Sequence, residues 1–299
     1  MEAQGWDIVR ERGPLPESRM LELAGEFDAF LCGDDEITRS VLDKSLPRLR
    51  VISKYGIGLD KIDLPSTKEL GIPVLFTPGV NHDTVAEHTF LLLLAITKNF
   101  IFSVDATRAG RWDRKTGSEL YGKRIGLIGL GRIGQEVAKR AAAFGMEVHG
   151  FGNYWPEDIA AQYRIIRHDT LDSLFSSVDI ISPHTKLNAD SHHCVNAARI
   201  ALLSDGAWII NTGRGELIDN AAIIAALDSG KLAGYATDVL DQEPPPADHP
   251  LLHHPKVIVT PHVGSRTFES VPRQAMKALV NLINALKGEG ETNCANGVL

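Results

Sequence analysis

An α/β chain of two doubly wound parallel-sheet domains is predicted by three features. These are the length, the alternation of short apolar runs with helix-period segments, and one glycine-rich turn between a strand and a helix. At 299 residues the chain exceeds what a single core usually organises. Lys123–Ile128 reads as a buried strand, Gly129-Leu130-Gly131-Arg132-Ile133-Gly134 matches G-x-G-x-x-G, Gln135–Phe144 continues at helical period, and Glu147–Phe151 supplies the next strand. In that setting the pattern is a Rossmann dinucleotide-binding fingerprint. Gly129 allows the tight turn, Gly131 lets a pyrophosphate approach the N–H groups at the positive end of the helix, and Gly134 lets helix and strand pack closely.

The other elements follow in order. Strands are expected at Asp7–Val9, Ala29–Cys32, Val51–Ser53 and Val74–Phe76, with helices between them. Asp83 opens a long helix that runs through Leu91–Leu94 to about Asn99, with Thr84 and Glu87 at capping-box spacing, which gives Glu87 a structural role. Beyond the fingerprint, strands are expected at Asp179–Ser182, Ala207–Asn211, Gly234–Val239 and Val257–Thr260, and helices at Leu171–Ser176, Asn220–Ser229 and Thr267–Lys287. Crossings between domains are expected at Ser103–Thr116 and Gly264–Val271, so that residues 1–100 with 271–299 form one domain and 101–270 the other.

Composition narrows the function. Hydrophobic residues at 43% and charged residues at 23% are ordinary for a globular protein, and a net charge of −7 argues against nucleic acid or an anionic membrane as partner. The three cysteines, Cys32, Cys194 and Cys294, are far apart, so no disulfide framework or zinc pattern emerges and a reducing cytoplasm fits. The longest apolar stretch, Phe90–Ile96, is too short to span a bilayer. His249, His253 and His254 cluster in one loop without a matching ligand pattern and read as solvated loop residues; no metal is expected. His192 and His193 read as structural, and His88, on the long helix, as a packing or dimer residue.

Three segments end strands of the Rossmann half with polar chemistry: Asn211-Thr212-Gly213-Arg214-Gly215, Asp238-Val239-Leu240-Asp241-Gln242-Glu243-Pro244, and Thr260-Pro261-His262-Val263-Gly264-Ser265. Open parallel sheets bind their ligands at such carboxyl ends. Singly, each residue has a plain reading: Arg214 as a surface ion-pair residue, Glu243 as a loop charge, His262 as a turn residue. Together they offer a carboxylate clamp, an orienting carboxylate and an acid/base.

With these motifs, and with Lys54-Tyr55-Gly56-Ile57-Gly58-Leu59-Asp60, Thr77-Pro78-Gly79-Val80-Asn81 and Gly110-Arg111-Trp112, the chain resembles the D-isomer-specific 2-hydroxyacid dehydrogenase family, 3-phosphoglycerate dehydrogenase-like members in particular. The resemblance spans nearly the whole sequence. It implies a Rossmann coenzyme domain, a flavodoxin-like substrate domain, a cytoplasmic homodimer, and hydride transfer between NAD or NADP and a small D-2-hydroxy acid or its 2-oxo acid. The catalytic set it implies is Arg214 on the 2-oxo-carboxylate, His262 as acid/base and Glu243 as its partner. Asp238 would hold the nicotinamide carboxamide. Coenzyme contacts are expected from Gly129, Gly131, Arg132, Ile133 and Gly134; from Gly152 and Asn153; from His184, Thr185 and Lys186; and from Thr212, Gly213, Asp238, His262 and Gly264. Substrate contacts are expected from Arg214 and from Lys54, Tyr55, Gly56, Ile57 and Gly58, a loop whose N–H groups would meet the carboxylate from the other side of an interdomain cleft. For Lys54 two readings stand: a cation for a substrate carboxylate or phosphate, or a side chain in solvent.

Two departures bear on detail. The family pattern opens with a strand and helix before the segment Ala3–Val9, so the substrate domain is expected to lack its first strand. The second Rossmann strand, which commonly ends in an Asp for the ribose hydroxyls, ends here at Gly152, followed by Asn153, Tyr154 and Trp155. Loss of that carboxylate admits NADP, and Lys186 offers positive charge nearby. The rival readings are a glyoxylate or hydroxypyruvate reductase and, in another class, a non-enzymatic NAD(H)-sensing scaffold of the corepressor kind.

Overall fold

The computed structural model describes residues 5–290 and 293–298 and divides into two compact units, Met1–Asn81 with Thr267–Leu299 and His82–Arg266. The first boundary lies well before residue 100. The long helix expected to close the first domain instead packs against the fingerprint helix Arg132–Ala143 and the strand Leu232–Thr237, with Ala86, Phe90, Leu92 and Leu93 in the same apolar cluster as Ile125 and Leu127, so it belongs to the second unit.

The first unit runs α1 (Glu17–Leu23), β1 (Ala29–Cys32), α2 (Arg39–Ser45), β2 (Val51–Lys54), α3 (Leu64–Glu69) and β3 (Val74–Leu75). Thr38 and Asp63 cap α2 and α3 by accepting the Val41 and Ser66 N–H groups. The strands form a parallel sheet in the order β1-β2-β3. Asp7–Val9 is not a strand: Val9 is exposed, and Trp6 packs with Val51, Leu75 and Leu282.

The second unit continues with α4 (His82–Thr97), α5 (Phe100–Arg108), β4 (Arg124–Ile128), α6 (Arg132–Ala143), β5 (Glu147–Phe151), α7 (Glu157–Gln162), β6 (Ile166–Arg167) and α8 (Leu171–Phe175). It closes with β7 (Ile180–Pro183), α9 (Ala197–Leu202), β8 (Ala207–Asn211), α10 (Asn220–Asp228), β9 (Leu232–Thr237), α11 (Pro250–His253) and β10 (Val257–Val259). The seven strands are parallel, in the order β10-β9-β8-β7-β4-β5-β6, with apolar clusters that include Ile209 and Tyr235 in one and Leu127 and Ile210 in the other. The order reverses at the β4/β7 pair, the switch point where such sheets open a crevice. At the opposite end of that pair Asp179 accepts Arg124 Nη2 at 2.7 Å and the Arg124 backbone N–H at 3.0 Å, and the guanidinium holds the carboxyl below its ordinary range.

One local expectation is corrected, and one strand is added. Thr84 and Glu87 do not form a capping box, because α4 begins earlier, at His82, and Glu87 lies 3.6 Å from Arg140 instead. β6 was not anticipated, being only two residues long and without alternation. The chain returns to the first unit through α12 (Ser270–Lys287), where Ala278 O accepts the Ser53 hydroxyl at 2.8 Å and Asn281 donates to Phe76 O at 2.9 Å. Among the described residues no single helix is long and apolar enough to cross a membrane; α4 and α5 pass such a test only jointly, with a bend of 64° between them.

Candidate active site at the strand ends

The glycine turn fits a dinucleotide by the space it leaves. Gly129 has φ +96°, and a Cβ there would lie 2.8 Å from His184 O. A Cβ on Gly134 would lie 2.1 Å from Gly129 O, so helix and turn touch backbone to backbone. Above Gly131 there is nothing within 4 Å, and this residue caps α6 with no side chain engaging the first-turn N–H groups. An open helix N-terminus of this kind suits a pyrophosphate. Arg132 and Ile133 open the helix beside it.

Arg214, Glu243 and His262 follow β8, β9 and β10, three adjacent strands. Asn211 shapes the first of these turns: its Oδ1 accepts Gly213 N–H at 3.0 Å and its Nδ2 donates to Arg214 O at 2.8 Å. Thr212 Oγ1 meets Thr89 Oγ1 of α4 at 2.9 Å. Gly215 then presses on the second segment so closely that a Cβ would lie 2.0 Å from Leu240 C. Glu243 turns back, accepting Leu240 N–H at 2.9 Å with Oε1 and meeting His262 Nδ1 at 2.7 Å with Oε2. The His262 and Glu243 side chains are 39% and 36% exposed, so their pairing is worth at most about 1 kcal/mol of stability. Its effect is on the ring: a carboxylate at Nδ1 fixes the tautomer and leaves proton exchange to Nε2.

His262 has φ +50°, in the left-handed region, where a non-glycine residue costs about 1–2 kcal/mol. Asp238, almost fully buried, holds the loop in that form. Its Oδ1 accepts the Thr260 hydroxyl at 2.6 Å and Val263 N–H at 2.9 Å, its Oδ2 accepts Gly264 N–H at 2.7 Å, and its backbone carbonyl accepts His262 N–H at 2.9 Å. His88 Nε2 completes the cluster, 2.9 Å from Thr260 Oγ1 and 3.2 Å from Asp238 Oδ1. Burial pushes the Asp238 carboxyl up, but the bonds from His88, Thr260 and Val263 outweigh it and the group stays below its ordinary value. His88 is therefore a polar partner of this loop, a role its position on an apolar helix concealed. Across the sheet, His184 meets Ser182 Oγ at 2.9 Å, and burial lowers its pKa to about 4.

The family model for the D-isomer-specific 2-hydroxyacid dehydrogenase NAD-binding domain matches residues 90–264. A glyoxylate reductase of Thermofilum pendens is 40% identical over 291 residues, covering 94% of this chain and 86% of its own. This chain belongs to the D-isomer-specific 2-hydroxyacid dehydrogenase family. A D-3-phosphoglycerate dehydrogenase of Methanocaldococcus jannaschii is 38% identical over 94% of this dehydrogenase and 54% of its own length. Among solved structures, the TT0316 protein from Thermus thermophilus superposes with a TM-score of 0.90 at 34% identity, covering 98% of this chain and 94% of that one. The dehydrogenase is thus an oxidoreductase that acts on the CH–OH group of 2-hydroxy acids with NAD or NADP as cofactor.

The remaining residues of interest in the dehydrogenase divide between its two units. In the first, Lys54 does not lie in solvent: it is buried, donating to Asp34 Oδ1 at 2.6 Å and to Gly33 O. Tyr55 N–H donates to Cys32 O at 2.8 Å and Gly56 N–H to Thr77 Oγ1 at 3.0 Å, whereas Ile57 and Gly58 N–H have no partner among the described residues. In the second, Gly152 backs onto the fingerprint, where a Cβ would come 3.5 Å from Gly129 Cα. Asn153 follows it at the surface, and Thr185 and Lys186 follow His184 after β7. The clustered histidines are less solvated than expected: His249 caps α11 and lies 3.5 Å from Asp241, and His254 lies 3.3 Å from Asp228. His192 and His193 stack on each other at 4.0 Å between ring centres.

Proposed function

We propose that Arg214, Glu243 and His262 are the catalytic set of a reductase for a small, unphosphorylated 2-oxo acid such as glyoxylate or hydroxypyruvate. The observation that carries this reading is the 2.7 Å contact of Glu243 with His262 Nδ1 at the ends of adjacent strands. NAD(P) supplies the hydride when bound at the glycine turn. His262 Nε2 delivers the proton to the carbonyl oxygen in reduction and takes it from the hydroxyl in oxidation, while Glu243 stabilises the imidazolium. Arg214 grips the carboxylate with its planar fork and polarises the neighbouring carbonyl. Asp238 Oδ2, with one donor already, could accept a second from the nicotinamide carboxamide. The likeness to the Thermofilum pendens glyoxylate reductase, at 40% identity over 86% of its length, supports the unphosphorylated substrate over a phosphorylated one, since the D-3-phosphoglycerate dehydrogenase match covers only 54% of that protein.

A homodimer fits the exposed apolar residues Leu91, Phe100, Ile101, Phe102 and Trp112. A reducing cytoplasm fits the buried thiols of Cys32 and Cys194, which burial pushes up to about 12 and about 11 and keeps unreactive. The test is a panel of glyoxylate, hydroxypyruvate, pyruvate and 3-phosphohydroxypyruvate assayed with NADH and with NADPH. Glyoxylate or hydroxypyruvate is expected to give the highest kcat/KM. Preference for the phosphorylated acid rejects the substrate assignment, and no turnover at all favours a dinucleotide-sensing scaffold.

A further inference from the structure

The coenzyme reading leaves open what receives a 2′-phosphate, because no basic residue follows Gly152 directly in sequence. The sheet supplies one from elsewhere. β5 and β6 pair in parallel with Gly150 opposite Arg167, so the two residues share a face of the sheet. A Cβ on Gly150 would lie 3.2 Å from the Trp155 ring and 2.8 Å from Leu130 Cδ1, which identifies that face as the one toward the glycine turn. Gly152, two residues further along the chain from Gly150, lies on the same face and abuts Gly129 and Leu130. The Arg167 guanidinium is stacked on Trp155, 5.0 Å from the ring centre, and pairs with no carboxylate among the described residues. From strand spacing and rise, the Arg167 and Gly152 Cα atoms are about 8 Å apart, within the span of one arginine side chain plus one phosphate.

We propose that Arg167, held over the Trp155 ring, is the specificity-determining cation for the 2′-phosphate of NADP(H). The inference rests on the reading of Gly152 as the ribose end of the coenzyme site. Gly152 removes the carboxylate that would repel the phosphate, and Arg167 supplies a forked, permanently charged donor beside the place so vacated. Stacking on the indole limits the rotamer freedom that the arginine would lose on binding. β6 is too short to be legible in the sequence, so this proximity is created by the fold alone.

The experiment is calorimetric titration of adenosine 2′,5′-bisphosphate and of ADP into the parent protein and the variants Arg167→Ala and Arg167→Gln. Losing a charge-assisted bond is expected to weaken the 2′,5′-bisphosphate about 10- to 100-fold. ADP binding should change less than about twofold in the same variants, as no contact to the 5′-phosphates is removed. Equal losses for both nucleotides would mean that the Arg167–Trp155 stack is only structural, and no loss for either would mean that the cation is unused; each overturns the proposal while leaving the coenzyme site intact. If the parent binds neither nucleotide, the dinucleotide site itself is wrong and the proposal falls with it.

Discussion

At the scale of single residues, the proposed catalytic set separates into parts with different kinetic signatures. His262→Ala is expected to lower kcat by about 10²- to 10⁴-fold, because it removes proton transfer in the transition state. Arg214→Ala is expected to raise KM about tenfold or more as well, since a charged clamp also acts before the transition state. Steady-state kinetics on glyoxylate checks both, and an unchanged KM for the arginine variant would remove the clamp from the mechanism. His184 carries a prediction about pH. Its pKa is lowered from 6.5 to about 4 in the folded chain, so between these values the unfolded chain binds a proton that the folded one refuses. Stability is therefore complete above pH 6.5 and falls as pH drops toward 4, by up to about 3 kcal/mol. Urea midpoints at pH 7 and pH 5 should converge in His184→Gln; the same acid decline in that variant would assign the effect elsewhere. The placement of Arg214, Glu243 and His262 after three strands was legible in the sequence, because each carries a scarce chemistry at a strand end. The hold of Asp238 on the His262 loop, the link to His88 and the burial of Lys54 were not, since they depend on which loops the folded sheet brings side by side.

At the scale of elements, the glycine turn makes two substitutions that look alike behave differently. Gly131→Ala enters open space and should leave Tm within a degree or two while weakening ADP binding, because the methyl would stand where the phosphates approach. Gly134→Ala drives a Cβ to within 2.1 Å of Gly129 O, and overpacking of backbone on backbone should cost about 1–3 kcal/mol or more. Thermal unfolding and calorimetry separate the pair; ADP affinity untouched in Gly131→Ala would contradict the pyrophosphate site. The strand–turn–helix unit was readable because its three glycines sit at fixed offsets between a buried strand and an amphipathic helix. Helix starts were less so. Thr84 and Glu87 have capping-box spacing, but the choice between a cap and a longer helix was made by the burial of Thr84 and by Arg140, distant in sequence.

For the whole molecule, the parallel α/β plan and the return of the C-terminal helix followed from alternating apolar periods. The boundary between units did not. α4 is apolar enough to serve either domain, and only its packing on α6 and β9 decides that it belongs with the coenzyme half. The exposed apolar residues of α5 and the segment after it lead to a prediction about assembly. Sedimentation should give twice the chain mass of 32.6 kDa, and Phe102→Glu with Trp112→Glu should shift it to the single mass. A double variant that still sediments at twice the mass would locate the dimer contact on another face.

The left-handed backbone at residue 262 has a consequence for what this chain gave up. Glycine would occupy φ +50° without strain, and the pairing with Glu243, both side chains being more than a third exposed, contributes little. His262→Gly is therefore expected to unfold at a temperature equal to or above that of the parent, as a thermal melt can check, while its turnover falls as far as that of His262→Ala. Durability and the proposed chemistry compete for one position, and selection for thermal endurance alone would remove the proposed acid/base first.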